Sequence, residues 1–299
     1  MTQLTTLYLT NISFKLPSKE MKKKPQSHAM TVDVEDYFHV AAFEPQFSPN
    51  SWSQIEHRVD KNTYELLDLF DEKNAKATFF ILGVVGEKFP ELIKEIDKRG
   101  HEVASHGYAH RRATEQTKEE FFTDVKRSKD HLEQTISREI LGYRAPSFSI
   151  NDTNQWAFEV LTELGFKYSS STYPVKHDLY GVPDWPRFKY YREEGIAEIP
   201  IPTSYMFGKQ VPIGGGGYYR LFPKAVSDYL IARYIKKEKQ PYSFYMHPWE
   251  IDPEQPRVEH ASKKSKFRHY LNLDKMKPRL SSLLEQYDWQ AMKDVYDIK

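Results

Sequence analysis

The stretch that decides the fold is ATFFILGVVGEKFPELIKEIDKRGHEVASHGYAH, residues 77–110 of a 299-residue chain. It opens with an apolar run, 77–83, whose composition is typical of a buried strand. Residues 89–99 have helical spacing, and Gly100 is the expected helix stop. The segment 101–106 predicts the next strand. A strand, a helix and a second strand in this order indicate a unit with parallel strands and a helix packed outside.

The same alternation runs from residue 30 to about residue 172 and predicts an α/β fold, either a barrel or an open sheet. Further strands are predicted at 30–36, 141–146, 166–170 and 242–246, and further helices at 61–73, 117–135, 151–164, 222–238 and after 267. Thr117 and Glu120 have the spacing of a capping box at the start of one helix.

The predicted organisation is a leader, 1–28, followed by one domain, 29–299. Within that domain, residues 173–220 are rich in Pro, Gly and aromatic residues and predict a loop insertion. Residues 251–299 predict a C-terminal helical extension. The lysines of the leader come after its short apolar stretch, which is the wrong order for a secretory signal. A cytoplasmic protein is therefore expected.

The composition narrows the possible functions. The chain has 43 Lys and Arg against 42 Asp and Glu, a net charge of +1, so a nucleic-acid partner is not expected. It has no Cys, which excludes disulfides, thiolate metal sites and cysteine nucleophiles. No apolar run reaches the ~18 residues of a membrane-spanning helix.

Two predicted strands are followed by groups typical of metal sites. His106 ends the predicted strand 101–106 and His110 follows it, and two imidazoles at this spacing can bind one metal ion. The carboxylates of Asp33, Glu35 and Asp36 cluster at the end of another strand. Clustered carboxylates repel one another unless a metal or a catalytic role holds them together. Taken singly, the pair could be coincidental and the cluster a solvated loop.

Two more strands end in basic side chains. Arg144 can form a forked pair with a carboxylate and keep it ionised. His247, turned sharply by Pro248, suits a general acid near neutral pH. A surface ion pair and a packed core histidine are the ordinary structural interpretations. Because the carboxyl ends of parallel strands share one edge, the four strand ends together predict one active site.

The order of these motifs resembles the polysaccharide deacetylase family, the NodB homology proteins of carbohydrate esterase family 4. The family's His-x-x-x-His motif matches His106 and His110. Its Arg-x-Pro motif matches Arg144 and Pro146, and its late, strand-borne histidine matches His247. The resemblance implies the distorted (β/α) barrel of that family.

The first family motif, of a Thr-Phe-Asp-Asp type, is matched by Thr31-Val32-Asp33, so that the resemblance covers about residues 30–250. It is closest to a branch associated with exopolysaccharide export loci. That branch has a DVEDYFHV-like start, a GGGGYYR-like loop, an HPWE-like end and a C-terminal extension. Residues 247–250 and 267–270, HPWE and FRHY, fit this pattern.

The resemblance implies a metal-dependent hydrolase that removes N-acetyl groups from the amino sugars of an exopolysaccharide or a lipid-linked glycan at the inner membrane face. His106, His110 and one carboxylate would hold a divalent metal, zinc being the first expectation, although the same ligands admit cobalt, nickel or iron. Asp33 would act as base, oriented by Arg144, and His247 would protonate the leaving amine.

Two departures from the family pattern matter. Val34 stands where the family has its metal-binding Asp. The ligand is then Glu35, which strand alternation puts on the side of Asp33, or Asp36, which has the same chemical identity; both remain open. Ser169 stands where the branch commonly has Asp, which predicts lower activity or an altered substrate range.

Aromatic residues are the candidate sugar contacts. Tyr218, Tyr219 and Trp249, together with Pro146, are predicted to bind substrate; four more residues of the insertion could stack on sugars or pack its loops: Trp185, Tyr190, Tyr191 and Tyr205. Two alternative functions remain. One is a hydrolase of peptidoglycan or small amides on the same fold. The other is a non-catalytic carbohydrate-binding protein, which Ser169 favours mildly and which the retained candidate site residues argue against: Asp33, His106, His110, Arg144 and His247.

Overall fold

The computed structural model describes residues 26–177, 180–206 and 208–299. Its strands are β1 (His28–Val34), β2 (Thr78–Ile81), β3 (Glu102–Ser105), β4 (Gly142–Tyr143), β5 (Tyr168–Ser169), β6 (Tyr190–Tyr191), β7 (Ala197–Glu198), β8 (Thr203–Met206), β9 (Lys209–Pro212), β10 (Ser243–Met246) and β11 (Trp289–Gln290). Its helices are α1 (Val59–Glu72), α2 (Gly83–Lys88), α3 (Pro90–Lys98), α4 (Lys118–Ile136), α5 (Trp156–Glu163), α6 (Gly216–Leu221), α7 (Lys224–Glu238), α8 (Lys263–Tyr270), α9 (Leu273–Gln286) and α10 (Met292–Val295).

The main sheet has the strand order β10-β1-β2-β3-β4-β5-β7-β6, and β11 pairs with the start of β1. Every pairing in it is parallel except that of β6 with β7. The prediction of an α/β fold is confirmed. Within the described residues β6 and β10 do not pair, so the sheet is a curled half-barrel with helices outside.

The sequence explains the central elements. All seven residues of β1 are buried, as expected of a strand covered on both faces. The capping box of α4 is confirmed, because the Thr117 side chain accepts a hydrogen bond from the Glu120 N–H and the Glu120 side chain from the Thr117 N–H. Gly100 follows α3 with φ +77°, the left-handed backbone of a helix stop. These elements hold the strand ends in fixed positions.

The insertion and the C-terminal extension are more regular than predicted. Residues 173–220 contain β6 and β7, which join the main sheet, the hairpin β8–β9, and α6. After residue 251 the chain forms α8, α9 and α10, and β11 pairs with β1. The region after 267, predicted as one helix, therefore contains the end of α8, all of α9 and the short α10. The single domain 29–299 stays a prediction. Residues 1–25 of the predicted leader, 1–28, lie outside the described residues.

None of the helices within the described ranges has the length and hydropathy that a membrane crossing requires. The parallel strands all end at the carboxyl edge of the sheet. There β1 lies between β10 and β2, and a bridge from Gly215 to Tyr245 adds the glycine-rich segment to the outer side of β10. The ends of β1, β3, β4 and β10 thus face one region.

Candidate active site

Asp33 and Arg144 form a buried ion pair at the end of β1. Arg144 Nη1 donates to Asp33 Oδ1 at 2.6 Å, and Arg144 is fully buried. The guanidinium also donates to Thr31 Oγ1 at 2.9 Å and to Ser170 Oγ at 3.1 Å, and it lies 4.0 Å from the ring centre of Phe80. A buried charge pair needs such additional bonds to offset its desolvation. The arrangement therefore fixes one orientation of the Asp33 carboxylate.

Glu35, His106 and His110 converge beside this pair. One potential ligand atom from each lies within 4.8 Å of the others. His110 Nε2 is 2.8 Å from Glu35 Oε2, but the two groups are not aligned for a hydrogen bond, and no other group of the described residues hydrogen-bonds to this buried oxygen. Two histidines and one carboxylate are the ligands of many catalytic zinc sites, and a metal ion would satisfy the unpaired carboxylate oxygen. The residues present fit a divalent metal.

The protonation of His106 suits metal binding. Its Nδ1 lies 2.8 Å from the carbonyl oxygen of Arg144, and because a carbonyl only accepts, this nitrogen carries the ring proton. The lone pair of Nε2 is then free to bind a metal. Burial, only partly opposed by the charge of Asp33, lowers the pKa of His106 to about 4, so the ring is neutral at pH 7.

The segment from His106 to His110 is a loop, so the two histidines do not share a helix face. Gly107 has φ +76° and His110 has φ +54°, both in the left-handed region. Asp124 of α4 accepts a hydrogen bond from the Tyr108 N–H at 2.8 Å. A Cβ at residue 107 would lie 3.1 Å from the same carboxylate oxygen, so a glycine allows this close approach.

Asp36, the other carboxylate proposed from the sequence as a metal ligand, does not join this cluster. Its Oδ2 accepts from the backbone N–H groups of Arg58 at 2.8 Å and Val59 at 3.1 Å, and its Oδ1 from that of Tyr37. These contacts place it at the start of α1, where it caps unpaired backbone donors. Burial raises the pKa of Asp36 to about 6 despite those bonds. The structure thus brings Glu35, and not Asp36, to the imidazoles.

His247 lies on the other side of Glu35, directly after β10. Its Nε2 is 3.3 Å from Glu35 Oε1, and its Nδ1 is 3.0 Å from Glu250 Oε1. Burial favours the neutral ring, but the charge of Glu35 and the hydrogen bond to Glu250 outweigh it and raise the pKa of His247 to about 9. Burial acts to raise the pKa of Glu35, but the nearby His110 and His247 outweigh it and hold that pKa well below its usual range. His247 can therefore carry a proton at pH 7.

A cavity of about 300 Å³ opens in front of His247. Tyr218 and Trp249, both proposed as substrate contacts, line it. Tyr219 does not: it is buried, packs on Phe244, and its hydroxyl donates to the Arg279 carbonyl at 3.1 Å. Tyr218 and Tyr219 are successive residues of the helix α6, so their side chains point in different directions, and that of Tyr219 points into the core.

The remaining proposed sugar contacts lie outside this cavity. Pro146 is buried at the start of a short 3-10 turn. Trp185 donates its indole N–H to Asp152, while Tyr191 and Tyr205 are 66% and 50% exposed on the surface. Like Tyr190, none of them lines the cavity as described.

Ser169, where the resemblance leads us to expect Asp, lies on β5, and the neighbouring strand β7 supplies a buried carboxylate. Ser169 donates to Ser171 Oγ at 2.8 Å. Glu198 of β7 is buried and accepts from the N–H groups of Ser171 and Thr172, each at 2.9 Å. Burial raises the pKa of Glu198. Glu198 thereby holds the segment that contacts Arg144.

Sequence reasoning missed several contributors: Thr31 and Ser170 as partners of Arg144, Phe80 under its guanidinium, Glu198, Glu250, and His39, whose ring accepts from the Asp36 N–H at 2.9 Å. Glu250 and His39 make contacts that are local in sequence: Glu250 stands three residues after His247 in a turn that begins with Pro248, and His39 stands three residues after Asp36. The other contributors meet the site through contacts that are distant along the chain.

Comparison with known proteins gives two family matches. Residues 51–169 match the model described as "Polysaccharide deacetylase", and residues 170–297 match a "Domain of unknown function (DUF3473)". The first includes His106, His110 and Arg144, whereas Asp33 and Glu35 precede both matches. Each match covers less than half of the chain.

Two curated relatives illustrate the similarity. A peptidoglycan-N-acetylglucosamine deacetylase of Bacillus cereus is 31% identical over 105 residues, which are 35% of this chain and 47% of the relative. A peptidoglycan deacetylase of Helicobacter pylori is 32% identical over 106 residues, 36% of this chain and 35% of that protein. The chain thus spans less than half the length of these relatives.

A solved structure matches over nearly the whole chain. It is a Mycobacterium smegmatis protein assigned to the polysaccharide deacetylases, with a TM-score of 0.59 and 17% identity over 96% of this chain and 94% of the other. At this identity the likeness shows a shared fold.

Proposed function

We propose that this chain hydrolyses N-acetyl groups on the amino sugars of a glycan. The family match at residues 51–169 and the curated deacetylases that the chain resembles support this proposal. The observation that carries the proposal is the convergence of Glu35, His106 and His110 between the Asp33–Arg144 pair and His247. That arrangement combines a metal site, a base and an acid at one sheet edge.

Glu35, His106 and His110 would hold a divalent metal, zinc in the first place and cobalt, nickel or iron as alternatives. When bound, such an ion supplies Lewis acidity toward the acetyl carbonyl and toward water. The chain's own contribution is to present three buried ligand atoms with His106 already in the required tautomer.

Asp33 and His247 handle the protons. Asp33, kept oriented by Arg144, takes one proton from the attacking water as its oxygen bonds to the acetyl carbon. His247 gives a proton to the sugar nitrogen as the C–N bond breaks, and the products are acetate and a free amine. Tyr218 and Trp249 flank the cavity in which the sugar would lie.

The substrate has two candidate classes. The curated relatives are named as peptidoglycan deacetylases, which supports a peptidoglycan amino sugar. The export-branch motifs at 33–40, 214–220 and 247–250 support an exopolysaccharide or its lipid-linked precursor. In both substrate classes the same amide bond of an N-acetyl group is broken. They differ in the sugar chain that the cavity must accommodate.

The test is acetate release from N-acetylglucosamine oligomers, peptidoglycan and crude exopolysaccharide. Zinc-loaded protein, chelator-treated protein and His106→Ala are compared. We expect release that the chelator and the substitution each reduce by ~10²-fold or more. Zinc bound at one per chain with no release from any glycan would overturn the deacetylase in favour of a non-catalytic carbohydrate-binding protein.

A further inference from the structure

Behind His247 lies a buried ion pair that the reaction described above does not use. Glu250 Oε1 is 3.0 Å from His247 Nδ1 and also accepts from the His247 backbone N–H at 3.1 Å. Glu250 Oε2 accepts from Arg220 Nε at 2.8 Å. Glu250 and Arg220 are 1% and 2% exposed, so both charges depend on each other and on local hydrogen bonds.

Arg220 is held in turn by the C-terminal extension. Its Nη1 donates to the carbonyl oxygens of His269 at 2.9 Å and Leu271 at 2.7 Å. Arg220 belongs to α6, which begins at Gly216, where an added Cβ would lie 2.5 Å from both Glu250 carboxylate oxygens. The glycine-rich segment therefore leaves room for the carboxylate and brings in its counter-charge.

The ring of His247 is also fixed from its face. Trp249 stacks on His247 with ring centres 5.0 Å apart and on His269 with ring centres 4.2 Å apart, both near parallel. His269 Nε2 is 2.6 Å from Gln255 Oε1. The stack joins the histidine of β10 to α8, so the ring cannot tilt without moving residues of the extension.

We propose that Glu250 and Arg220 are positioning residues for His247, and that the region matching a domain of unknown function, 170–297, builds the proton-donating half of the active site. The inference rests on the proposed function. Glu250 accepts the Nδ1 proton and so leaves the Nε2 N–H on the opposite side of the ring, 3.3 Å from Glu35 Oε1, in a histidine that lines the cavity. The positive charge of Arg220 keeps Glu250 ionised, so that Glu250 accepts a hydrogen bond from His247 Nδ1 and does not take its proton.

This role predicts a selective defect. Outer partners of functional histidines typically contribute about 10–100-fold. Glu250→Gln keeps the shape but removes the charge, so we expect kcat on N-acetylglucosamine oligomers to fall by about 10–100-fold, with KM changed by less than about 3-fold. An amide nitrogen must be protonated to leave, whereas 4-nitrophenolate leaves without a proton. Hydrolysis of 4-nitrophenyl acetate should therefore fall by less than about 3-fold.

The experiment compares full-length wild type, Glu250→Gln, Glu250→Asp, His247→Ala and the double variant His247→Ala/Glu250→Gln on both substrates. The double variant should be no slower than His247→Ala, because the two residues act as one unit. Glu250→Asp should recover part of the amide activity. The control is Glu238→Gln, which removes a partly exposed carboxylate 3.3 Å from Arg187 in another part of the molecule. It should change neither substrate's rate.

Equal losses on the amide and the ester, or additive losses in the double variant, would overturn the positioning role. Nitrogen-15 NMR of the histidine rings keeps the inference testable if wild type hydrolyses neither substrate, which would count against the proposed function alone. The His247 Nδ1 resonance, assigned with His247→Ala, should shift in Glu250→Gln and not in Glu238→Gln. An unchanged His247 resonance would contradict the Glu250 contact itself.

Discussion

Glu35 Oε2 lies 2.8 Å from His110 Nε2, while the carboxylate of the next residue, Asp36, faces the start of α1. Adjacent carboxylates therefore have separate tasks. One completes a candidate metal site, and the other accepts backbone hydrogen bonds that a helix start leaves unpaired.

This separation predicts opposite effects of two neighbouring substitutions. Glu35→Ala should abolish binding of one zinc per chain, because a ligand is lost. Asp36→Ala should keep the zinc but lower the free energy of unfolding by about 2 kcal/mol, since buried backbone donors lose their acceptor. Zinc titration by calorimetry and chemical unfolding of the metal-free proteins measure the two effects. Zinc loss in Asp36→Ala without unfolding would contradict the assignment.

The Arg144 fork predicts that lysine cannot replace arginine. A lysine has one charged nitrogen and cannot contact Asp33, Thr31 and Ser170 from one planar group. We expect Arg144→Lys to reduce kcat/KM by about 10²-fold, as for loss of acid–base alignment. Arg99→Lys, a change in a surface ion-pair cluster, serves as the control. Wild-type kcat/KM in a folded Arg144→Lys protein would rule out the fork as a requirement.

Two neighbouring glycines of α6 give a matched steric test. Gly216→Ala places a methyl group 2.5 Å from the Glu250 oxygens, so the carboxylate must move and kcat should fall by about 10-fold or more. Gly217→Ala adds the same methyl group where no atom lies within 4 Å. Because Gly217 lines the cavity, its methyl group can change KM, but kcat should stay within about 3-fold of wild type and stability should rise by about 0.5–1 kcal/mol from helix propensity. Steady-state kinetics and thermal melts compare them, and equal kinetics would exclude the crowding.

His101, far from the active site, predicts how stability depends on pH. Its Nδ1 accepts from the Ala77 N–H at 3.2 Å, and burial lowers the pKa of His101 to about 4. Because an unfolded histidine titrates near 6.5, the unfolded chain binds more protons between pH 6.5 and 4, and folding stability falls as the pH is lowered through this window. The loss is about 2–3 kcal/mol.

His101→Asn keeps an acceptor but cannot titrate. The unfolding free energy of this variant should fall less steeply from pH 6.5 to 4 than that of wild type, although its value at pH 7 is lower through poorer packing. Urea unfolding at several pH values measures both slopes. Parallel curves would show that another group controls the acid sensitivity.

Much of the site was predictable because its residues stand at the ends of strands with clear apolar patterns. Asp33, His106, Arg144 and His247 follow or end β1, β3, β4 and β10, and parallel strands bring such positions together. The choice between Glu35 and its neighbour was not predictable. It depends on where β1 stops alternating, and that is decided by the contact with the start of α1, 22 residues further on.

Other errors have a similar origin. Tyr218 and Tyr219 look equivalent as a pair of aromatic residues in a glycine-rich stretch. Only the short helix α6 decides that one lines the cavity and the other packs on Phe244. The two-residue strands β6, β7 and β11 carry too few residues for periodicity to reveal them, whereas β4 and β5 lie within the predicted strands 141–146 and 166–170.

The placement of β1 has a consequence for biosynthesis. Thr31 Oγ1 donates to the Phe244 carbonyl at 2.9 Å across 213 sequence positions, and β11 closes against the start of the same strand. A nascent chain emerging from the ribosome can pair β1 with β2 early, but the other flank of β1 stays open until β10 and β11 are made. Pairing over such distances is slow and leaves strand edges exposed to aggregation. Recombinant yield should consequently depend on translation speed and chaperone supply more than on the stability of the finished protein.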